Sequence, residues 1–335
     1  MKMADSLHPA MTQTATPQPK PLPLKGVRIL SLSLNLPGPA ALQRLHHMGA
    51  NCVKLEPPAP PASGGTSVES GITGDPMSLY SPCAYRLLHE GIDVRAINLK
   101  TEAGQAELHT ELAQADVLLS SFRPGALRKL GLDWATLHPL YPKLSMVAIF
   151  GSTGVLADLP GHDLTYVAEN DLVTGLDLPA TLYADMGGAL MASEAVLQAM
   201  LLKAQTGQGS FLEVALADAA AHLALPRNWG ATLPGTLLGG GHAGYRVYPC
   251  LDGRVALAAL EPHFAQSLCS VMGLAWRGLD MMLEADTHQT VANFVAGHTR
   301  QALEALAREH DIPLHTLCQS ELPTLIFKGL EANLP

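Results

Sequence analysis

The stretch VRILSLSLNLPGPAALQRLHHMGANCVKLE, residues 27–56, decides the fold of this chain. Residues 27–32 are a short apolar run typical of a buried strand, and a turn rich in proline follows it. A helix is predicted over residues 40–48, ended by Gly49, and a second strand over residues 51–56. A strand, a helix and a strand within 30 residues form a βαβ unit, which implies a parallel sheet with a right-handed crossover.

The same alternation of strands and helices continues along the chain. Further strands are predicted at 94–99, 116–120, 144–150 and 211–214, with helices between them. Residues 23–225 are therefore predicted to form a large, Rossmann-like α/β domain with a parallel sheet. The sequence G-x-G-x-x-G does not follow the first strand, so the sequence does not support dinucleotide binding.

A smaller α+β domain is predicted beyond the Gly-rich, aperiodic stretch 226–244, which we interpret as a linker. An antiparallel hairpin and three helices follow it, and we assign residues 226–311 to the linker and this domain. Residues 312–335 are expected to pack back on the large domain. Residues 1–22 are polar and rich in proline, and we predict a disordered tail there rather than a secretion signal.

Composition excludes several classes of function. The 335 residues carry a net charge of −9, whereas a nucleic-acid or anionic-membrane binder usually carries the opposite sign. No stretch reaches the ~18 apolar residues that a membrane helix needs. The five cysteines are scattered without a C-x-x-C pair, which argues against a disulfide framework or a zinc site. We expect a cytoplasmic protein without a metal site, a nucleic-acid partner or a membrane partner.

Two local patterns carry candidate acid–base chemistry. His162 and Asp163 are adjacent in a predicted loop, and a histidine beside a carboxylate suits proton transfer near neutral pH. The alternative is that the pair only caps a turn or packs. Asp185 opens a predicted helix and precedes Gly187 and Gly188. An N-cap is the usual role of such an aspartate, but a helix start with exposed N–H groups can also bind an oxyanion beside a basic carboxylate.

Two further patterns concern a third acid and a group of cations. Glu261 follows a predicted strand, and its surroundings in the sequence fit a capping acid and an active-site acid equally. Arg123, Arg128 and Lys129 lie close together at a strand-to-helix junction. Such a charge run is usually a solvated face. In an acidic protein, however, it is also the kind of local patch that an anionic ligand requires.

These segments, in this order, resemble the family III CoA-transferases, a group that includes formyl-CoA and carnitine CoA-transferases and α-methylacyl-CoA racemase. The resemblance runs from Leu24 over nearly the whole chain and rests on short motifs in register, at 26–30, 37–39, 49–58, 97–100, 116–118, 122–125 and 206–209. It implies a Rossmann-like large domain and a small domain in an obligate, interlocked homodimer. It also implies an acyl-CoA thioester substrate, so that coenzyme A is part of the substrate and not a permanently bound cofactor.

The resemblance also implies roles for single residues. Arg123 and Lys129 match positions that face the nucleotide and phosphates of CoA, whereas Pro57 stands where some members have an arginine. Asp163 matches the transferase nucleophile, which takes the acyl group as a mixed anhydride and then carries CoA as a thioester.

The racemase members of the family imply a different set of residues. His162, Asp185 and Glu261 all match the positions that racemases use. Inverting the α-carbon of a 2-methylacyl thioester requires one group to remove a proton from one face and another to return it to the opposite face. We expect the N–H groups of Gly187 and Gly188 to stabilise the enolate between these steps. Racemisation or epimerisation of a 2-methylacyl-CoA is therefore the leading hypothesis.

Two alternatives stay open. The motifs at 54–58 and 122–125 are closer to the transferase members, which favours transfer of CoA between carboxylic acids through Asp163. The 23 positions from His162 to Asp185 also make a shorter segment than racemases usually have. The other alternative is a catalytically inactive acyl-CoA-binding paralogue. The presence of all four candidate acid–base residues argues against it.

Overall fold

A computed structural model describes residues 22–59 and 74–318 of the chain. The chain divides into two units between Leu223 and Ala224, two residues before the predicted boundary. The tail predicted for residues 1–22 lies outside the described residues, apart from Leu22. Among the described residues, no helix is both long and apolar enough to cross a membrane.

The large unit is built on a six-stranded parallel sheet with the order β3-β2-β1-β4-β5-β6. Its strands are β1 (Arg28–Ser31), β2 (Asn51–Glu56), β3 (Asp93–Ala96), β4 (Val117–Ser120), β5 (Ser145–Phe150) and β6 (Phe211–Ala215). The order confirms the predicted parallel α/β fold. The chain reverses its winding direction between β1 and β4, which pair directly, and ligands of open α/β sheets bind at the carboxyl ends of the strands at such a point.

Helices cover both faces of this sheet. They are α1 (Pro37–His47), α2 (Met77–Tyr80), α3 (Pro82–Leu88), α4 (Glu102–Leu112), α5 (Pro124–Leu130), α6 (Trp134–Leu140), α7 (Asp163–Glu169), α8 (Tyr183–Thr206) and α9 (Leu216–Leu223). One apolar core packs α1 and α8 against the sheet, and a second packs α4, α5 and α6 against the other face. Helix α1 begins three residues before its predicted start, because prolines fit the first turn, where no N–H donor is needed.

The small unit holds a three-stranded antiparallel sheet, β7 (Tyr245–Cys250), β8 (Gly253–Ala258) and β9 (Leu314–Leu317). Its helices are α10 (Leu225–Asn228), α11 (Pro262–Val271), α12 (Ala285–Ala296) and α13 (Arg300–His310). Residues 312–335 were expected to return to the large domain, and strand β9 corrects this expectation for the part of that segment that is described, up to residue 318. Strand β9 pairs with β8 along four residues, because β8 has a free edge opposite β7. Residues 319–335 lie outside the described residues.

Candidate active site

A cavity of about 200 Å³ opens at the carboxyl ends of β1, β4 and β5. The polar side chains on its wall include Asn35, Ser121, Arg123, His162, Tyr166 and Asp185. The cavity therefore occupies the switch point of the sheet, where an α/β fold of this strand order binds its ligand. Two of the predicted acid–base residues and one predicted CoA-binding residue meet there.

The adjacent residues His162 and Asp163 have different surroundings. His162 is the N-cap residue of α7, and its exposed side chain lines the cavity. The backbone N–H of His162 donates to Thr165 Oγ1 at 3.2 Å, and the Thr165 hydroxyl donates to the backbone carbonyl of His162 at 2.8 Å. Asp163 is the first residue of α7, and its side chain is 5% exposed. Among the described residues, the cavity wall includes His162 but not Asp163.

The carboxylate of Asp163 caps the neighbouring helix. Asp163 Oδ1 accepts the N–H of Asp185 at 3.0 Å. Asp185 is the third residue of α8, and an N–H at that position has no acceptor within its own helix. The N-cap residue of α8 is Leu182, whose apolar side chain cannot accept this bond. Asp163 therefore supplies from α7 the acceptor that α8 lacks, and its negative charge suits the positive end of that helix.

Asp185 differs from Asp163 in that it faces the cavity. Burial, and secondly the nearby Asp163 carboxylate, raise the pKa of Asp185 to about 6. A carboxyl group with a pKa near the operating pH can both accept and donate a proton. The arrangement thus leaves Asp185 as the acid–base candidate of the pair.

The hydroxyl of Tyr166 was not anticipated as a site group. Tyr166 is 5% exposed and lines the cavity. A Cβ on Gly151 would lie 2.1 Å from this hydroxyl, and a Cβ on Gly161 would lie 2.3 Å from it. Both glycines therefore leave the space that the hydroxyl occupies. Burial, followed by the Asp185 carboxylate, raises the pKa of the phenol, so it stays a hydrogen-bond donor. The only sequence signal for this residue was the pair of glycines in and before the His162–Asp163 loop.

The structure corrects the assignment of Gly187 and Gly188 as enolate-binding donors. Helix α8 starts at Tyr183, and the Met186 N–H already donates to the Leu182 carbonyl at 3.1 Å. The N–H groups of Gly187 and Gly188 come after it and are therefore used within the helix. Their lack of a side chain serves packing, because a Cβ on Gly188 would lie 2.3 Å from Leu216 Cδ2 on α9.

The predicted cationic cluster is split. Arg123 lies at the start of α5 and lines the cavity. Arg128 pairs with the exposed Asp158 at 3.1 Å, so its charge is partly compensated. Lys129 is exposed in the last turn of α5. Of the predicted CoA contacts, Arg123 is therefore the one that the structure places at the cavity.

Glu261 belongs to the small unit, where it is the N-cap residue of α11. Its active-site role stays a prediction. Within residues 22–59 and 74–318, no group of three or more His, Cys, Asp or Glu side chains is arranged to hold a metal ion.

A buried charged network beside the cavity was missed altogether. Lys54 on β2 is 0% exposed, and its Nζ lies 2.6 Å from Asp75 Oδ2 and 2.9 Å from Glu56 Oε2. Its third neighbour is His89 Nε2 at 2.8 Å. His89 Nδ1 lies 2.6 Å from the Tyr85 carbonyl and must donate to it, so Nε2 is the acceptor for Lys54. Burial, and then the Lys54 charge, lower the pKa of His89 and keep it neutral.

Comparison with known proteins gives the family. A model described as CoA-transferase family III matches residues 24–321. The chain is 27% identical over 276 residues to acetyl-CoA:oxalate CoA-transferase of Acetobacter aceti, covering 77% of this chain and 68% of that protein. It is 30% identical over 197 residues to alpha-methylacyl-CoA racemase of Mus musculus, covering 53% and 52%. It is 35% identical over 192 residues to cinnamoyl-CoA:phenyllactate CoA-transferase of Clostridium sporogenes, covering 54% and 46%.

Solved structures agree at the level of the fold. The hypothetical protein Rv3272 of Mycobacterium tuberculosis superposes with a TM-score of 0.74 at 22% identity, over 91% of this chain and 86% of that one. A CAIB/BAIF family protein from Brucella suis gives a TM-score of 0.68 at 22% identity, over 87% and 83%. The chain spans about half the length of several curated relatives, 52% and 46% of the racemase and the cinnamoyl-CoA enzyme. It belongs to CoA-transferase family III, whose matched relatives include both transferases and racemases.

Proposed function

We propose that this family III protein racemises or epimerises the α-carbon of a 2-methylacyl-CoA thioester. One observation carries the proposal: His162 and Asp185 line the same cavity, whereas the side chain of Asp163 is buried and holds the start of α8. The racemase chemistry needs two acid–base groups at one substrate carbon. The transferase chemistry needs the carboxylate of Asp163 to reach a thioester carbonyl.

The proposed reaction consists of two proton transfers at one carbon, and the proton returned is not the proton removed. One of the two groups takes the α-proton, and the electron pair of the C–H bond moves into an enolate. The other group then gives a proton to the opposite face of the same carbon, which restores the thioester with inverted configuration. Asp185 accepts the proton as a carboxylate in one direction and donates it as a carboxylic acid in the other, and His162 does the converse.

The enolate oxygen needs a hydrogen-bond donor, since a thioester α-proton is only weakly acidic. Tyr166 meets this need in place of Gly187 and Gly188, because its protonated hydroxyl lines the cavity beside Asp185. Arg123 offers its positive charge to the phosphates of CoA at the mouth of the switch point, and Lys129 extends this charge along α5. CoA enters and leaves as part of the substrate, and the proposal requires no resident cofactor.

Exposed apolar side chains support a homodimer as part of this proposal. On α8 alone, Met186, Leu190 and Leu201 are 41%, 50% and 65% exposed. Apolar side chains of this size, repeated along one helix, are typical of a surface that another chain covers. We propose that a second copy of this chain covers it, in a cytoplasmic enzyme whose five cysteines remain thiols.

Hydrogen exchange tests the proposed function directly. The protein is incubated with a single enantiomer of a 2-methylacyl-CoA in D₂O, and deuterium at the α-carbon is followed by mass spectrometry. We expect incorporation together with loss of optical purity. Absence of exchange, with transfer of CoA to an added carboxylate, would overturn the proposal.

A second candidate is CoA transfer through Asp163, favoured by the transferases among the relatives. It predicts that Asp163→Ala abolishes transfer while His162→Ala retains it. Transfer that survives in Asp163→Ala excludes it. Tight binding of acyl-CoA with neither exchange nor transfer would instead indicate a binding paralogue without catalysis.

A further inference from the structure

Asn35 stands on the cavity wall in an unusual backbone conformation. It follows β1 and has φ 64°, in the left-handed region. Residues other than glycine avoid this region unless their surroundings hold them there, and asparagine tolerates it better than most. Such strain is often kept where a side chain serves a function.

The buried network holds the backbone of Asn35 in place. Asp75 Oδ1 accepts the Asn35 N–H at 3.0 Å, and the other oxygen of Asp75 pairs with Lys54 at 2.6 Å. Asp75 and Lys54 are both 0% exposed. A hydrogen bond to a buried, paired carboxylate is stronger than one between neutral groups and fixes the position of its donor. Asp75 Oδ1 also accepts the Met77 N–H at 3.0 Å, so the buried carboxylate fixes Asn35 on the cavity wall relative to the start of α2.

The side chain of Asn35 is oriented as well. The Tyr80 hydroxyl donates to Asn35 Oδ1 at 2.5 Å. Tyr80 is largely exposed, but partial burial of its phenol, and secondly the Asp75 carboxylate, raise its pKa, so the hydroxyl keeps its proton. With the amide oxygen engaged, Nδ2 carries two N–H donors. In the part of the chain that the structure describes, neither donor has a hydrogen-bond partner.

We propose that Asn35 is a substrate-binding residue whose Nδ2 donates a hydrogen bond to an oxygen of the acyl-CoA. Lys54, Asp75 and Tyr80 are its positioning residues. The proposal rests on the proposed function only in taking an acyl thioester as the ligand. The oxygen belongs either to the thioester itself or to a hydroxyl or carbonyl substituent near the α-carbon, and both accept the same bond.

Asn35→Gly separates this role from a structural one. Glycine adopts φ near 64° without strain, so the variant keeps the backbone and loses only the amide. We expect kcat/KM to fall by about tenfold or more, as for a lost substrate hydrogen bond, with a melting temperature equal to or above that of the wild type. Asp311→Gly is the matched control, because Asp311 has φ 52° at the end of α13. It is expected to change stability in the same direction and to leave kcat/KM unchanged.

Two substrates locate the oxygen. Asn35→Gly is assayed with 2-methylbutanoyl-CoA and with 3-hydroxy-2-methylbutanoyl-CoA. An equal loss on both places the bond at the thioester oxygen, and a loss confined to the second places it at the hydroxyl. Unchanged kinetics on both, in a protein as stable as the control, would overturn the proposal.

Direct binding keeps this test independent of catalysis. The Kd of each acyl-CoA is measured by calorimetry for the wild type and for Asn35→Gly. Weaker binding by the variant supports the role of Asn35 even if the wild type shows no α-proton exchange, an outcome that would reject the proposed function alone. Equal Kd values for the two proteins would count against Asn35.

Tyr80→Phe tests the positioning of the amide. Tyr80 is 65% exposed, so the change should leave the melting temperature unaltered. We expect kcat/KM to fall by a factor of about two to five, because Asn35 is still present but no longer oriented. Unchanged kinetics in Tyr80→Phe, with the full loss in Asn35→Gly, would reject the orienting role.

Discussion

The starts of α7 and α8 place two aspartates at comparable positions with different consequences. Asp163 and Asp185 each lie in the first turn of a helix, where carboxylates are common because of the helix dipole. Asp163 is buried and accepts a backbone N–H, so its carboxylate is committed to structure. Asp185 donates that N–H from its backbone and turns its carboxylate to the cavity. Position at a helix start therefore does not decide the role, whereas the partners of the side chain do.

Of the two aspartates, removal of the cavity-facing Asp185 carboxylate should have the largest effect on activity. Asp185→Asn should lower α-proton exchange about 10²- to 10⁴-fold, the usual contribution of an acid–base group. Since the folded pKa of Asp185 is raised above its ordinary value, the folded state loses stability as pH rises from about 4 to about 6. Asparagine avoids this loss, so the variant should be more stable at pH 7, by up to about 3 kcal/mol. Exchange assays and urea unfolding measure the two effects.

Asp218→Asn is the control for that variant, because Asp218 is an exposed acid in the first turn of α9. It should leave exchange and stability nearly unchanged. If Asp185→Asn keeps exchange within tenfold of the wild type, Asp185 is not an acid–base group of the reaction.

Substitution of Asp163, the structural member of the pair, should lower stability and leave exchange largely intact. Asp163→Ala removes the acceptor for the Asp185 N–H and should lower the free energy of unfolding by about 1–2 kcal/mol, as loss of an N-cap does. Exchange by the folded protein should stay within about tenfold of the wild type. Asp163→Asn keeps an accepting oxygen and should restore most of the stability. If both variants instead lose CoA transfer to an added carboxylate to the same large extent, Asp163 has the transferase role.

The pH dependence of exchange sharpens the comparison further. Since Asp185 works as a carboxylate in one direction, kcat/KM in that direction should rise as pH increases through about 6. In Asp163→Asn the midpoint should move to lower pH, because one of the two causes of the raised pKa is gone. Burial is the larger cause, so the midpoint should stay above 3.8. A midpoint that does not move would show that the two carboxylates are not coupled.

The smallest effect is expected at the glycines of α8. Gly188→Ala should cost about 1 kcal/mol of stability, since its Cβ meets Leu216 and helix propensity returns part of that cost. Gly187→Ala meets Leu223 Cδ1 only at 3.1 Å and should be near neutral. Thermal unfolding of both variants, with exchange assays at saturating substrate, checks this. A large loss of kcat without loss of stability would indicate that the two glycines do contribute to catalysis.

The six strands of the large unit could be predicted, because β1, β4 and β5 are short and largely apolar and the other three strands alternate with helical segments in the same way. The short helices α2, α3, α6 and α7 were not predicted. The roles of single buried polar residues could not be predicted either. Strand β2 was predicted at its observed bounds, Asn51–Glu56, yet nothing near Lys54 indicates that it is fully buried. Its partners Asp75 and His89 are 21 and 35 positions away in the sequence. Only the fold brings them together.

At the site, the resemblance to a family pointed to His162 and Asp185, which the structure places on one cavity wall. The predicted start of α8 was two residues too late, and this led to the assignment of the glycines as donors. A helix that starts at Asp185 would give Gly187 a free N–H in the third position. The observed start at Tyr183 moves both glycines past the free donors. Asn35 and Tyr166 were missed because their roles depend on neighbours on other segments, which no local pattern encodes.

The hydrogen bond between Asp163 and the Asp185 backbone joins the start of α7 to the start of α8, and so closes a stretch that holds α7 and the mostly exposed segment 170–182. A tied loop tolerates insertions, because each doubling of its length costs only about 0.6 kcal/mol of closure entropy. The segment can therefore lengthen, or accept a grafted peptide tag, while His162 and Asp185 keep their places. The length of this segment can therefore change without moving His162 and Asp185, because the Asp163 carboxylate fixes the start of α8 independently of the segment.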